Sequence, residues 1–255
     1  MSVNLFDLSG RVALVTGSSK GIGYAIAEGV AAAGATVVLN SRNPKELDES
    51  RARLAGAGHK VHAVAFDVTD EPAVTDAIAR IERDIGPLDV LYNNAGIQRR
   101  GPLIDFKLET WREVMTGDLD QVFIVGRAAA RRMIARGRGR IVNTCSLTSE
   151  IARRDIGPYT AAKGAVKLLT QAMCVEWAPL GLNVNGIGPG YFRTELNRAL
   201  FEDPEFVAWL KKRTPSGRWG DVKELQGAAI FLASEAATFV NGQVIYVDGG
   251  LLASM

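Results

Sequence analysis

Three side chains in the middle of the chain have types and spacings suited to acid/base chemistry. Tyr159 and Lys163 are four residues apart, so they share one face if this stretch is helical. A tyrosine hydroxyl has an ordinary pKa of about 10, and a neighbouring ammonium favours the phenolate, which can take a proton from an alcohol. Ser146 lies thirteen positions before the tyrosine, just beyond a predicted strand, where its hydroxyl could hold a substrate oxygen. A Tyr-x-x-x-Lys pattern alone is weak, so the prediction depends on the surrounding fold.

A glycine-rich loop, TGSSKGIG (16–23), follows the first predicted strand and opens a helix. Glycine lets the backbone approach a pyrophosphate, and the helix N-terminus offers free N–H groups and partial positive charge. Such a loop can also be an ordinary tight turn, but the order strand, loop, helix, strand favours a dinucleotide site. The residues predicted to contact the dinucleotide are Gly17, Ser19, Lys20, Gly21, Ile22 and Gly23.

The end of the second predicted strand indicates which dinucleotide is bound. An acid at this point would bind the ribose 2′-hydroxyl of NAD and repel a 2′-phosphate. This chain has Asn40-Ser41-Arg42 instead, and Lys20 in the glycine loop adds a second cation. A hydroxyl and two cations suit a phosphate ester, although Arg42 could also be an ordinary surface arginine. The sequence therefore predicts NADP(H) as cofactor, preferred over NAD(H).

Short β-branched runs alternate with stretches of helical period along the whole chain. The runs read as strands cover 11–16, 35–40, 60–66, 88–93, 139–145, 182–188 and 243–248. They are apolar on both faces, as parallel strands covered by helices must be. The pattern predicts an α/β fold: one doubly wound Rossmann domain over 1–255, with a seven-stranded parallel sheet flanked by helices. The less regular segment 191–220 follows a strand end and is predicted to be a mobile substrate lid.

Composition argues against several other classes of protein. The 255 residues carry a net charge of +2 with both signs scattered, which favours neither a nucleic-acid partner nor a membrane surface. His59 and His62 are the two histidines and have no ligands at metal spacing, so we expect no metal site. Cys145 and Cys174 lie in apolar stretches, which favours buried thiols in a reducing compartment over a disulfide. With no signal-like N-terminus, the sequence predicts a cytoplasmic protein.

Taken together, these motifs resemble the short-chain dehydrogenase/reductase family over essentially the whole chain. The matching pieces are TGSSKGIG (16–23), Asp67-Val68, Asn93-Asn94-Ala95-Gly96, Ser146, Tyr159 with Lys163, Pro189-Gly190 with Thr194, and VDGG (247–250). The resemblance implies hydride transfer between a nicotinamide and a carbonyl carbon. It implies that Tyr159 is the general acid/base, that Lys163 lowers the tyrosine pKa and binds the nicotinamide ribose, and that Ser146 orients the carbonyl.

The resemblance also implies further cofactor contacts and a homotetramer. Asp67 and Val68 would contact adenine, Asn94, Ala95 and Gly96 would line the groove, and Pro189, Gly190 and Thr194 would surround the nicotinamide. One position departs from the family pattern, which has a catalytic asparagine in the helix after the fourth strand. Asp118 occupies that place here, and a carboxylate near Lys163 could alter the proton relay.

Segments expected around the substrate resemble family members that act on a sugar acid, D-gluconate or its 5-keto form. They include NNAGIQRRGPL (93–103) and GPGYFRTELNRAL (188–200). A sugar acid needs a cation for its carboxylate and polar groups for its hydroxyls. Besides Ser146 and Tyr159, the predicted substrate contacts are therefore Arg100, Arg153 and Glu150.

Two alternative functions remain open from the sequence. One is a 3-oxoacyl-[acyl-carrier-protein] reductase, which would need a basic landing surface for which Arg127, Arg131 and Arg132 are weak candidates. The other is a non-catalytic NADP(H)-sensing protein. The intact set of Ser146 and the Tyr-x-x-x-Lys pair argues against the sensor, because a sensor needs no acid/base group.

Overall fold

A seven-stranded parallel sheet runs through the computed structural model, which describes residues 4–254 apart from the side chain of Leu196. The strands are β1 Val12–Val15, β2 Thr36–Leu39, β3 Val61–Ala63, β4 Leu88–Asn93, β5 Gly139–Thr144, β6 Leu182–Pro189 and β7 Val244–Val247. Their order is β3-β2-β1-β4-β5-β6-β7, so the chain reverses direction across the sheet between β1 and β4. Parallel sheets bind ligands at such a switch point. The predicted Rossmann fold is confirmed, with residues 1–3 and 255 of the predicted domain lying outside the described range.

The central strands are buried on both faces because helices cover both sides of the sheet. Every residue of β1 and β4 is buried, whereas β3 and β7 form the edges and are partly exposed. The prediction of a strand over 60–66 was therefore too long. β3 pairs only with β2, and His62 in its middle points to solvent, so regular pairing ends at Ala63.

The helices are α1 Gly21–Ala32, α2 Pro44–Gly56, α3 Glu71–Asp84, α4 Leu108–Met115, α5 Gln121–Ala135, α6 Gly157–Trp177, α7 Arg198–Phe201, α8 Pro204–Arg213 and α9 Gln226–Ala233. Three of them begin where the sequence supplies both a cap and a proline. Asn43, Asp70 and Asp203 accept hydrogen bonds from backbone N–H groups of the first turn of α2, α3 and α8. Within residues 4–254, none of these helices has the length and apolarity needed to cross a membrane.

A π-helical turn, Thr116–Asp120, separates α4 from α5. The sequence pattern predicts one continuous helix over 110–137, so this interruption was missed. A π turn accommodates an extra residue and shifts the side chains that follow it, and such turns are frequent at functional sites. Here it contains Asp118, which is completely buried.

The segment 191–220 packs around its own small apolar core. Leu200, Leu210 and Trp219 form a cluster with Leu147, which is adjacent to Ser146. The base of the segment is closed by a bridge between Phe192 and Gly220. The segment predicted to be a lid therefore packs against the loop after β5.

Candidate active site

A cavity of about 950 Å³ opens at the carboxyl ends of the central strands. Most residues predicted to hold the dinucleotide line it: Gly17, Ser19, Lys20, Gly21, Ile22, Gly23, Ser41, Arg42, Asp67, Val68, Asn94, Ala95, Gly96, Tyr159, Lys163 and Thr194. Pro189 and Gly190 are not among its lining residues. A Cβ on Gly190 would lie 2.6 Å from the Asp248 Cα, so this glycine permits close packing beside the site.

The glycine loop is pressed against the end of β4. A Cβ on Gly17, whose φ is +61°, would lie 2.8 Å from the Ala95 Cα, and one on Gly23 would lie 2.4 Å from the Asn94 Nδ2. Asn94 in turn donates hydrogen bonds to the carbonyls of Thr16 and Gly17, at 3.0 and 3.2 Å. Larger side chains would therefore displace the loop from the strand.

The N-terminus of α1 faces this cavity without a competing anion. In the part of the chain that the structure describes, no side chain caps α1 and no acid lies in its first turn. Gly21 has a φ of +61°, and the nearest atoms to a Cβ there would be those of Thr194, at 3.9 Å. Free N–H groups beside open space fit the pyrophosphate of a dinucleotide.

The cations predicted to recognise a 2′-phosphate lie at the far end of the cavity. Arg42 Nη1 is 3.7 Å from Asp67 Oδ2, and the Arg42 side chain is 74% exposed. Lys20 Nζ is 4.0 Å from Glu46 Oε2. Burial opposes ionisation of Asp67, but hydrogen bonds from Thr69 and the charge of Arg42 hold the pKa of its carboxyl below the ordinary value. Each cation therefore already faces a carboxylate.

Asn40 has a different role from its neighbours Ser41 and Arg42. Its side chain is buried, donates to the carbonyls of Val64 and Phe66 at 3.3 and 3.1 Å, and accepts from the Gly17 N–H at 3.3 Å. Asn40 thus joins the glycine loop to the chain after β3.

The predicted acid/base group comes together at the start of α6. Lys163 Nζ lies 5.6 Å from the centre of the Tyr159 ring and donates to the Thr144 carbonyl at 2.8 Å. The Ser146 hydroxyl, which accepts from the Thr148 N–H at 3.2 Å, acts to lower the pKa of the Tyr159 phenol. Ser149 Oγ donates to the Lys163 carbonyl at 2.8 Å and accepts from the Ser146 N–H at 3.3 Å. This bond pair holds the Ser146 loop against the helix that carries the tyrosine and the lysine.

The electrostatics of this group differ in one respect from the sequence prediction. Burial raises the pKa of the Tyr159 phenol above its ordinary value; Lys163 lowers it, while Asp118 raises it further. The predicted influence of Lys163 has the right sign, but it does not outweigh burial in the protein alone. Burial works to lower the pKa of Lys163, yet Tyr159 and Asp118 outweigh it and raise that pKa, which favours the ammonium.

Asp118 lies directly beside Lys163. Its Oδ1 is 3.7 Å from Lys163 Nζ and accepts from the Ile97 N–H at 3.3 Å. Its Oδ2 is buried and has no hydrogen-bond partner among the described residues. Gly96 makes room for it, since a Cβ there would lie 2.5 Å from Oδ1. Burial raises the pKa of the Asp118 carboxyl, and Lys163 opposes this.

Two of the predicted substrate residues, Arg100 and Arg153, lie on neighbouring loops, and neither lines the large cavity. The loops are joined by a hydrogen bond from the Gly101 N–H to the Asp155 carbonyl, at 2.9 Å. Burial, and then the charge of Arg153, lower the pKa of Arg100. Among the described side chains neither is within ion-pair distance of an acid, unlike the neighbouring Arg99, which pairs with Glu113.

Glu150, the third predicted substrate contact, is already engaged. Its Oε1 accepts from Lys167 Nζ and from the Tyr246 hydroxyl, each at 2.6 Å. It does not line the large cavity, so its predicted role stays a prediction without a contact to support it.

Two residues at the site were not predicted from the sequence. Thr144 acts through its backbone carbonyl, which leaves no sequence signal. Ser149 was missed, although its spacing to Ser146 fits a capping pair.

Comparison with known proteins places this arrangement in a family. A family model described as enoyl-(acyl carrier protein) reductase matches residues 17–252. Gluconate 5-dehydrogenase of Gluconobacter oxydans (strain 621H) is 56% identical over 252 residues, 99% of this chain and 98% of that protein. The 5-keto-D-gluconate 5-reductase of Escherichia coli (strain K12) is 47% identical over 99% of each chain.

A solved structure of similar sequence identity has the same fold. The gluconate 5-dehydrogenase from Burkholderia cenocepacia J2315, in complex with NADP and tartrate, superposes with a TM-score of 0.97 at 51% identity over 100% of both chains. The site geometry, the sheet order and these full-length similarities lead to one conclusion: the chain belongs to the short-chain dehydrogenase/reductase family of oxidoreductases.

Proposed function

We propose that this enzyme interconverts D-gluconate and 5-keto-D-gluconate with NADP(H). The observation that carries the proposal is that Arg100 and Arg153, on two loops joined by the Gly101–Asp155 hydrogen bond, have no acid within ion-pair distance among the described residues. An unneutralised cation pair favours a substrate with a carboxylate. The identity to the Gluconobacter and Escherichia coli enzymes supports the same substrate.

The cavity fits a dinucleotide, and its residues favour the phosphorylated form. The α1 N-terminus would hold the pyrophosphate, and Lys20, Ser41 and Arg42 would hold the 2′-phosphate. NADP is bound in the solved relatives from Burkholderia cenocepacia and Beutenbergia cavernae, which supports the preference over NAD. The bound nicotinamide would supply the hydride-transfer chemistry, in either direction, between the alcohol and the ketone.

The residues of the chain carry the proton. In oxidation, the Ser146 hydroxyl holds the substrate oxygen, and Tyr159 as phenolate takes the hydroxyl proton. Lys163, fixed by the Thr144 carbonyl, stabilises the phenolate and passes the proton outward. In reduction Tyr159 protonates the forming alkoxide.

The charges on the predicted landing surface do not favour the acyl-carrier-protein alternative. Arg127 pairs with Glu71, and Arg132 lies 3.9 Å from Glu82, so two of the three candidate cations face an acid. The sugar-acid relatives also argue against it. The sensor alternative does not explain the assembled acid/base group.

A substrate panel read at the reduced-nicotinamide absorbance tests the proposal. We expect NADP⁺-dependent oxidation of D-gluconate, and little reduction of oxoacyl thioesters. Tyr159→Phe should retain NADP⁺ binding and lose activity by about 10²–10⁴-fold, the usual contribution of a general acid/base group. Turnover of an oxoacyl thioester without turnover of gluconate would reject the sugar-acid substrate, and an active Tyr159→Phe would reject the mechanism.

A further inference from the structure

A buried serine on α2 is bonded to the glycine loop. Ser50 is 1% exposed, and its hydroxyl donates to the Ser19 carbonyl at 2.6 Å. The Glu46 carbonyl, one helical turn earlier, lies 2.9 Å from the same hydroxyl, which is a common contact of a serine within a helix. Ser50 has one hydroxyl hydrogen, and the shorter distance favours Ser19 as its main acceptor. The side chain of Ser50 therefore joins α2 to the loop that precedes α1.

Arg53 holds the Ser50 hydroxyl from the opposite side. Its Nη2 donates to Ser50 Oγ at 2.8 Å. The Arg53 guanidinium carbon lies 5.0 Å from the centre of the Tyr24 ring, which belongs to α1. A donor that acts on the oxygen of a hydroxyl polarises it, so the hydroxyl hydrogen is donated more strongly. Both helices thus contribute to fixing the Ser50 hydroxyl at the Ser19 carbonyl.

The direction of the Ser19 carbonyl sets the direction of the next N–H group. In a planar trans peptide the C=O and the N–H point in opposite directions, so the Lys20 N–H points away from Ser50. Among the described residues this N–H has no hydrogen-bond partner. Ser19 and Lys20 both line the large cavity. The bond from Ser50 therefore fixes an unused donor, and the base of the Lys20 side chain, at the cavity wall.

The start of α2 also supports the other groups expected around a 2′-phosphate. Ser41 Oγ accepts from the N–H of Asn43, the residue that caps α2. Lys20 Nζ is 4.0 Å from Oε2 of Glu46, in the first turn of the same helix. The two segments that would share the phosphate, the glycine loop and the end of the second strand, are therefore both attached to α2, and Ser50 makes the attachment of the loop.

We propose that Ser50 is a positioning residue for the cofactor: through the Ser19 carbonyl it aligns Lys20 with Ser41 and favours a 2′-phosphate over a 2′-hydroxyl. This inference rests on the proposed use of NADP(H), because it names what aligns the same site. The pyrophosphate would lie at the N-terminus of α1, which begins at Gly21. Binding of NAD⁺ should therefore depend little on Ser50.

Ser50→Ala removes the hydroxyl, and calorimetric titration with NADP⁺ and with NAD⁺ measures the effect. We expect affinity for NADP⁺ to fall about fivefold, the loss typical of one hydrogen bond, and affinity for NAD⁺ to stay within about twofold. The KM for NADP⁺ should rise by a similar factor, with kcat within about twofold. Ser50→Cys keeps nearly the same volume with a weaker donor, so it should give the same selective loss at a smaller size.

Thr75→Ala is the matched control, since Thr75 Oγ1 donates to the Glu71 carbonyl at 2.9 Å, the same one-turn contact, on α3. It should leave both affinities unchanged. An unaltered affinity for NADP⁺ in Ser50→Ala, or equal losses for NADP⁺ and NAD⁺, would overturn the inference. A wild type that binds both cofactors equally would instead reject the proposed preference for NADP(H), because the role of Ser50 is measured by the change in the ratio of the two affinities.

Discussion

The proposed preference for NADP(H) assigns part of the phosphate recognition to one exposed arginine of the cavity, Arg42. Arg42 is 74% exposed and lies 3.7 Å from Asp67, so in the protein alone it already has a weak ion-pair partner. Replacing it by alanine removes the cation and leaves Ser41 and Lys20 in place. The variant Arg42→Ala therefore isolates the contribution of one guanidinium to phosphate recognition.

The size of the effect follows from the geometry. Unit charges about 4 Å apart attract each other by about 1 kcal/mol in water, and a phosphate monoester carries up to about two negative charges. The attraction of Arg42 to the phosphate is therefore about 2 kcal/mol, partly offset by the weakened pair with Asp67. A net gain of about 1–2 kcal/mol corresponds to a loss of about tenfold in kcat/KM for NADP⁺ on substitution.

Initial rates with NADP⁺ and NAD⁺ at saturating gluconate measure this selectivity. We expect kcat/KM for NADP⁺ to fall about tenfold in Arg42→Ala, with the value for NAD⁺ within about twofold of the wild type. Arg51→Ala is a matched control, because Arg51 is a partly exposed α2 arginine paired with Asp48 at 2.8 Å. A wild type with equal kcat/KM for both cofactors, or a variant with an unchanged ratio, would refute the reasoning.

Three further measurements test other parts of the molecule. Asp118 raises the pKa of Tyr159, so Asp118→Asn should shift the acidic limb of the oxidation profile to lower pH, whereas Asp120→Asn should not; superimposable profiles would contradict this. In Gly23→Ala the new Cβ would lie 2.4 Å from neighbouring atoms, so the free energy of unfolding should fall by about 1–3 kcal/mol. Gly227→Ala is the control, because a Cβ there has open space. Equal melting temperatures of the two variants would contradict this prediction. Light scattering should give a homotetramer of about 110 kDa, four times the 27.4 kDa chain, and a monomer mass would reject that prediction.

Much of the fold could be predicted because its signals are local. The caps and prolines at the starts of α2, α3 and α8 are local signals, and the apolar runs give six of the seven strands to within one or two residues. The glycine loop was found because turn, close approach and helix start are all encoded within eight residues. The dinucleotide residues followed from that loop and from the family resemblance.

The parts that could not be predicted arise from contacts distant in sequence or from the backbone. The π turn around Asp118 leaves no clear pattern, because the helical period continues on both sides of it. The Thr144 carbonyl that holds Lys163 is a backbone group. The pKa of Tyr159 is raised by burial, which depends on many residues distant in the sequence. The spacing of Tyr159 and Lys163 does not reveal that burial. Glu150 was assigned without knowledge that β7 brings Tyr246 to it.

Burial divides the charges of the site into two groups with different expected responses to salt. Lys163 and Asp118 are 3% and 0% exposed, so added ions screen them little. Arg42 and Arg100, which would bind the two anionic ligands, are exposed at the rim. Raising NaCl from about 0.05 to about 0.5 M shortens the Debye length from about 14 to about 4 Å and should weaken only the exposed contacts.

KM for NADP⁺ and for gluconate should therefore both rise several-fold with salt, while kcat changes by less than about twofold. Arg42→Ala should remove most of the salt dependence for NADP⁺ and leave that for gluconate unchanged. Loss of the salt dependence for NADP⁺ alone would assign Arg42 to that ligand. A kcat that fell as steeply as KM rose would mean that Lys163 is open to solvent, contrary to its buried position beside the Thr144 carbonyl.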